Sequence, residues 1–162
     1  MLSLSLSGDD ALDARLDAFP GALGDALAAK AETLALALAE AVKLDKLSGQ
    51  VLAARSGALR DSIAAEVSAD GDAVFATVGS AGDVNYAAIQ EYGGRTAAHE
   101  ILPDKAKALA FVAGGATRFA ARVEHPGSTI PAHAYLRATL DEQADAIVAA
   151  LAATPEEMWS RA

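Results

Sequence analysis

Three histidines, His99, His125 and His133, are the starting points for chemistry in this chain of 162 residues. Imidazole is the side chain whose ordinary titration lies nearest neutral pH, and it is a common metal ligand. The spacing of the three fits no compact metal motif. His99-Glu100 lacks the helical H-E-x-x-H continuation, and His125-Pro126-Gly127 favours a turn over a ligand-bearing helix. The carboxylates Glu91, Glu100, Asp104 and Glu124 fall in separate loops or element ends, so spacing alone pairs none of them for acid–base work. Ser56-Gly57 and Gly127-Ser128 lack the G-x-S-x-G elbow that exposes an activated hydroxyl. Gly79-Ser80-Ala81-Gly82 lacks the lysine and the spacing of a phosphate-binding loop. With no cysteine in the chain, disulfides, thiolate metal sites and cysteine nucleophiles are excluded together. The expectation is a protein that is not an enzyme, with no catalytic residue, no metal ligand and no cofactor. The alternative is a hydrolytic or metal-dependent enzyme combining His99, His125 or His133 with Glu91 or Glu124.

Charge bears on partners. Thirteen Lys plus Arg against 22 Asp plus Glu give a formal net charge of −9, a field that repels nucleic acid and anionic lipid. The acidity sits at the two ends, while residues 43–137 carry equal numbers of acids and bases. There Arg55, Arg60, Lys105, Lys107, Arg118 and Arg122 are interleaved with acids, as on a solvated face. Arg118 and Arg122 share strand parity with Ala120, which leaves a DNA-binding adaptor as a further alternative. Met1–Ser7 has neither the basic start nor the apolar length of a secretion signal. Thr33–Val42, the longest Leu/Ala-rich segment, is too short to span a bilayer and contains Glu40. A chain made in the cytoplasm, without a membrane partner, is expected.

These residues need elements to hold them. Hydrophobic residues make up 52% of the chain, but 42 of its residues are alanine, whose methyl group buries little area at about 25 cal/mol per Å². The core is thinner than the percentage suggests. Leu16, Phe19, Leu23, Leu27, Leu34, Leu38 and Val42 recur at helical spacing, with Pro20-Gly21 expected to kink or split the helix and its long second part reaching about Asp45. Ile63, Ala65 and Val67 alternate before Asp70-Gly71, and Val74, Ala76 and Val78 follow. This predicts a hairpin with strands near 61–68 and 73–79.

A short helix near Asn85–Glu91 and an irregular Gly93–Pro103 loop come next. A second hairpin turning at Gly114-Gly115 is expected after them, its return strand running to Val123. Leu136, Leu140, Ala144, Ile147 and Leu151 predict a last helix ending before Pro155. The expected fold is α+β: a small antiparallel β-sheet built from hairpins, packed against a long N-terminal helix and a C-terminal helix. One domain over 1–153 and a C-terminal tail over 154–162 complete the organisation.

Three patterns follow one another along the chain. Ser56-Gly57-Ala58-Leu59-Arg60-Asp61-Ser62-Ile63 reads as a turn and strand start. Tyr86-Ala87-Ala88-Ile89-Gln90-Glu91-Tyr92-Gly93 closes a short helix. His125-Pro126-Gly127-Ser128 leads through Pro131 to Tyr135-Leu136-Arg137-Ala138-Thr139-Leu140. Over about residues 1–153 the chain resembles a tail-component family of long-tailed (siphophage-type) bacteriophages, prophages and gene transfer particles. Its members are described as neck, tail-completion, tail-terminator or head–tail joining proteins and include the lambda-type minor tail protein Z. The family patterns are T-G-x-L-R-x-S-I, Y-A-x-x-x-E-x-G and P-x-x-P-F-L-R-P-A-L. The second is matched in full; elsewhere Ser56 replaces Thr, Ala134 replaces Pro, Tyr135 replaces Phe, and Ala138-Thr139 replaces Pro-Ala.

The resemblance implies a structural virion protein assembled as a ring, expected to be a hexamer, at the head–tail junction. It would join the tail tube to the capsid connector and let DNA pass. The implied partners are further copies of itself, a head-closure or connector protein, and the tail tube or terminator protein. Genomic DNA would pass without specific binding. Tyr86, Tyr92 and Tyr135 combine apolar area with a hydroxyl, a type enriched in interface cores, and Glu91 beside Gly93 is placed to accept hydrogen bonds from a neighbouring loop. With Leu136, Arg137 and Trp159 they are the candidate subunit or partner interface. The Gly93–Pro103 stretch and the Gly114-Gly115 turn are expected to order against a neighbour.

Overall fold

The computed structural model describes residues 9–52, 56–71, 73–104 and 106–161; Met1–Ser7, Arg55 and Lys105 lie outside the described residues. The chain is α+β, with long N- and C-terminal helices and small antiparallel two-stranded ladders. It divides into two compact units: Tyr86–Ala134, and the chain on either side of it.

In the flanking unit, helix α1 (Asp9–Ala41) continues through Pro20, so of the kink or split expected at Pro20-Gly21 the split does not occur. A proline inside a helix removes one backbone hydrogen bond and costs about 3 kcal/mol. Here the residues around it are held by the C-terminal helix α4 (Tyr135–Arg161). Phe19 meets the Trp159 ring edge-on, with centres 5.6 Å apart. The Arg15 guanidinium lies 4.6 Å from the centre of the same ring. Lys30 Nζ reaches Glu157 at 3.4 Å, and Lys46 Nζ reaches Glu142 at 2.7 Å. Partner numbers fall as α1 numbers rise, so the two helices are antiparallel. α4 likewise continues through Pro155, and the expected 154–162 tail is helical to Arg161.

The burial pattern departs from the leucine stripe. The buried positions of α1 are Ala31, Ala35, Leu38 and Ala39, followed by Val42 in a π-helical turn (Val42–Lys46). Alanines at a contact let the packed element come close, which is why a methyl-rich face forms the core here while Leu16 is exposed. In α4 the buried side chains are Tyr135, Thr139 and Thr154, and Leu140 is exposed. Each threonine satisfies its hydroxyl within the helix. Thr139 Oγ1 donates to the Tyr135 carbonyl at 2.8 Å, and Thr154 Oγ1 donates to the Ala150 carbonyl at 3.2 Å. A buried hydroxyl that finds a partner costs little.

The first pattern forms a short helix α2 (Ala58–Ser62) and then opens strand β1 (Ile63–Asp70). β1 pairs with β2 (Ala73–Ser80), Ile63 standing opposite Ser80 and Asp70 opposite Ala73. The expected hairpin is present, its first strand displaced by about two residues because the helical turn occupies 58–62, its second beginning at 73 as expected. Ser62 and Ser80 hydroxyls lie 2.8 Å apart and tie its open end. Register places Ile63, Ala65, Val67, Val74 and Val78 on one face, the less exposed one. Both strands pack along α1.

The second unit holds α3 (Ala87–Tyr92) and six short strands: β3 (Gly94–Arg95), β4 (His99–Ile101), β5 (Leu109–Ala113), β6 (Ala116–Ala120), β7 (Val123–His125) and β8 (Thr129–Ile130). β3 pairs with β8, β4 with β7 and β5 with β6, all antiparallel. The Gly93–Pro103 stretch, expected to be irregular, therefore carries two strands. The Gly114-Gly115 hairpin is present, but its return strand ends at Ala120. Val123 belongs to β7, which turns to a different partner.

Candidate functional site

Within the second unit the latter two patterns are clasped together through the backbone. The last carbonyls of α3 are capped by a distant segment: His133 N donates to Gln90 O at 2.9 Å and Ala134 N donates to Glu91 O at 3.1 Å. Gly93 follows with φ of +71°, and a Cβ there would lie 2.7 Å from Ala132 N. Gly127 has φ of +84°, and a Cβ there would lie 2.2 Å from Thr96 O. Neither position admits a side chain without moving backbone. Thr96 N donates to Ser128 O at 2.9 Å, and Ser128 N donates to Thr96 Oγ1 at 2.8 Å. The conspicuous residues of these patterns thus serve the chain path. Ala134 has φ of +46° and uses its N–H. A proline at this position could do neither.

The candidate interface residues divide by exposure. Glu91 is 2% exposed, and its backbone carbonyl accepts from its own chain, so it offers no surface to a neighbour. Tyr135 is buried as well, and its carbonyl accepts from Thr139. Leu136 is half-buried and Arg137 exposed. Tyr92 is 69% exposed and Tyr86 is also exposed. Trp159 is partly open, but its ring is engaged by Phe19 and Arg15, and Arg15 Nη2 donates to its carbonyl at 3.4 Å.

The histidines are more organised than their spacing implies. β4 and β7 place His99 opposite His125 and Glu100 opposite Glu124, and the two imidazoles stack with centres 5.0 Å apart. The mirrored dipeptides His99-Glu100 and Glu124-His125 were the signal for this pairing. His99 Nδ1 lies 3.1 Å from Ala97 O, where it donates. His125 Nδ1 accepts from Gly127 N at 3.0 Å, which puts the proton of its neutral ring on Nε2. The pair therefore holds opposite tautomers and does not present two lone pairs to one metal ion. Among the described residues no group of three His, Asp or Glu side chains could hold a metal. Arg122 lies beyond β6 and pairs with Glu100 at 3.3 Å, so Arg118 and Arg122 form no shared strand face.

The hairpin β5–β6 presents a bare surface. Register puts Ala110, Val112, Thr117 and Phe119 on one face, all exposed, with Val112 at 75% and Phe119 at 73%. Val112 and Phe119 are thus large apolar side chains left open to solvent.

Comparisons with protein-family models, with curated proteins and with solved structures find no match to this chain. Among the described residues no helix is long and apolar enough to cross a membrane.

Proposed function

We propose that the chain is a structural virion protein that assembles as a hexameric ring at the head–tail junction of a siphophage-type particle. It would act there as a neck, tail-completion or terminator component, joining the tail tube to the capsid connector. The observation that carries the reading is the ordered succession of the three patterns, two of which converge on one backbone clasp. Gly93 and Gly127 shape the chain path there, and Glu91 is buried. Residues used in this way fix a chain path, as a part shaped to join its neighbours requires.

Two further features agree. Tyr86, Tyr92, Val112 and Phe119 leave apolar area exposed in the second unit, as expected of a subunit whose surface closes on neighbours. The net charge of −9 suits an assembly through which DNA passes without being gripped, because retention on DNA requires cations against phosphates. No bond is made or broken on this reading and no cofactor is used. The partners are copies of the chain, the connector or head-closure protein, and the tail tube or terminator protein.

Removal of this gene from a particle-producing genome tests the proposal. DNA-filled heads and free tails, rejoined by adding the purified chain, are expected. Normally tailed particles without the chain would overturn it.

A further inference from the structure

The hairpin β1–β2 stands as a two-stranded ladder, so each strand has one open side. Its hydrogen bonds fix which groups face outward. Ala81 N donates to Ser62 O at 2.8 Å, and antiparallel pairs alternate, so Ala73, Phe75, Thr77 and Gly79 bond to β1. The backbone N–H and C=O groups of Val74, Ala76 and Val78 therefore point away from it. Among the described residues no hydrogen bond engages them.

Open edges are ordinarily blunted by charge, proline or a bulge. β1 carries Glu66 and Asp70, whereas β2 has no charged residue and no proline. Its register with β1 runs without a bulge from Ala73 to Ser80. The edge of β2 is thus fit to take a further strand, and the two faces of the ladder say what kind. Val74 and Val78 are half-buried on the face that packs along α1, while Phe75 and Thr77 are exposed on the other. A strand added there needs apolar residues on one side and takes polar ones on the other.

The chain contains such a pattern. Leu2, Leu4 and Leu6 alternate with Ser3, Ser5 and Ser7, which is the period of a half-buried strand. This segment precedes α1, and its reach decides whose β2 it meets. α2, which leads into β1, touches both β2 and the π-helical turn after α1, so the open end of the hairpin sits at the C-terminal end of that helix. From there the strands extend about 26 Å, against about 50 Å from Val42 back to Asp9. Even a hairpin lying straight along α1 stops about 24 Å short of Asp9. Ser7 and Gly8, between Leu6 and Asp9, span only about 10 Å. Leu2–Leu6 is therefore too short of reach for β2 of its own chain, and β2 of another copy carries no such limit.

We infer that Leu2–Leu6 of one copy adds as a third strand to the outer edge of β2 in a second copy, its leucines beside Val74 and Val78 and its serines on the side of Thr77. Strand and edge are different surfaces, so the exchange runs head to tail and repeats from copy to copy. Its closure into a ring rests on the reading above.

The chain has no cysteine, so introduced pairs test the contact in the whole protein under mild oxidation. Residues opposite one another on adjacent strands lie about 4.5 to 5.5 Å apart at Cα, within disulfide reach. Leu4→Cys is combined in turn with Val74→Cys, Ala76→Cys and Val78→Cys to cover the registers. At least one combination should link chains to one another, with about tenfold more product than Leu4→Cys/Glu66→Cys, whose second cysteine is one strand further away on the opposite face. Hydrogen-exchange protection of the Glu66 amide in the three reduced test variants shows their hairpins to be intact. No link above the control, or a link closed within single chains, overturns this contact while the ring reading stands. Linked chains of open-ended length with no closed species uphold the contact and remove the ring reading.

Discussion

The helical unit and the Tyr86–Ala134 unit reach order by different physical routes. The first packs two antiparallel helices and a hairpin around Leu38, Val42, Ile63 and the α4 threonines, so that burial holds it. The second has short ladders, exposed aromatic and branched side chains, and a path fixed by backbone hydrogen bonds and two glycines that exclude any side chain. A unit locked by its backbone can leave apolar side chains outward, as Val112 and Phe119 are. The acidic charge follows the same division: the second unit holds only Glu91, Glu100, Asp104 and Glu124 against five Lys or Arg.

That contrast can be broken by substitution. The largest effect is expected from Ile63→Ala, which empties a buried position of the hairpin core and should lower unfolding free energy by about 3 kcal/mol in urea titration. Gly127→Ala should cost about 2 to 3 kcal/mol through backbone strain. It should appear as lost hydrogen-exchange protection at Thr96, with the β1 amide of Glu66, opposite Thr77, still protected. Simultaneous loss at both would show that the two units do not differ in the way described. Ala134→Gly should stabilise by about 1 kcal/mol, because the positive φ then carries no Cβ penalty, and a melting series reads it. Phe119→Ser should be smallest, within about 0.5 kcal/mol for the dilute chain. Its assembly should nevertheless weaken, and a stability loss like that of Ile63→Ala would mean that Phe119 belongs to a core.

Legibility in the sequence followed the same physics. The β1–β2 hairpin could be read because alternation and Asp70-Gly71 act locally, and the same holds for Gly114-Gly115. Continuity through Pro20 and Pro155 could not, because each local penalty is overridden by contacts between residues more than 100 positions apart. Thr139 and Thr154 escaped as core residues because their hydroxyls bond to the preceding turn, which a hydrophobicity pattern cannot register. At the candidate site Gly93 was visible as a turn, while the burial of Glu91 and Tyr135 and the stacking of His99 on His125 depend on tertiary pairing. Exposure of Val112 and Phe119 ran against the default assumption that large apolar residues point inward.

Native mass spectrometry of the purified full-length chain tests the central claim most directly. One closed species at six times the chain mass is expected. A single chain at every concentration, or an open-ended ladder of lengths, would contradict it.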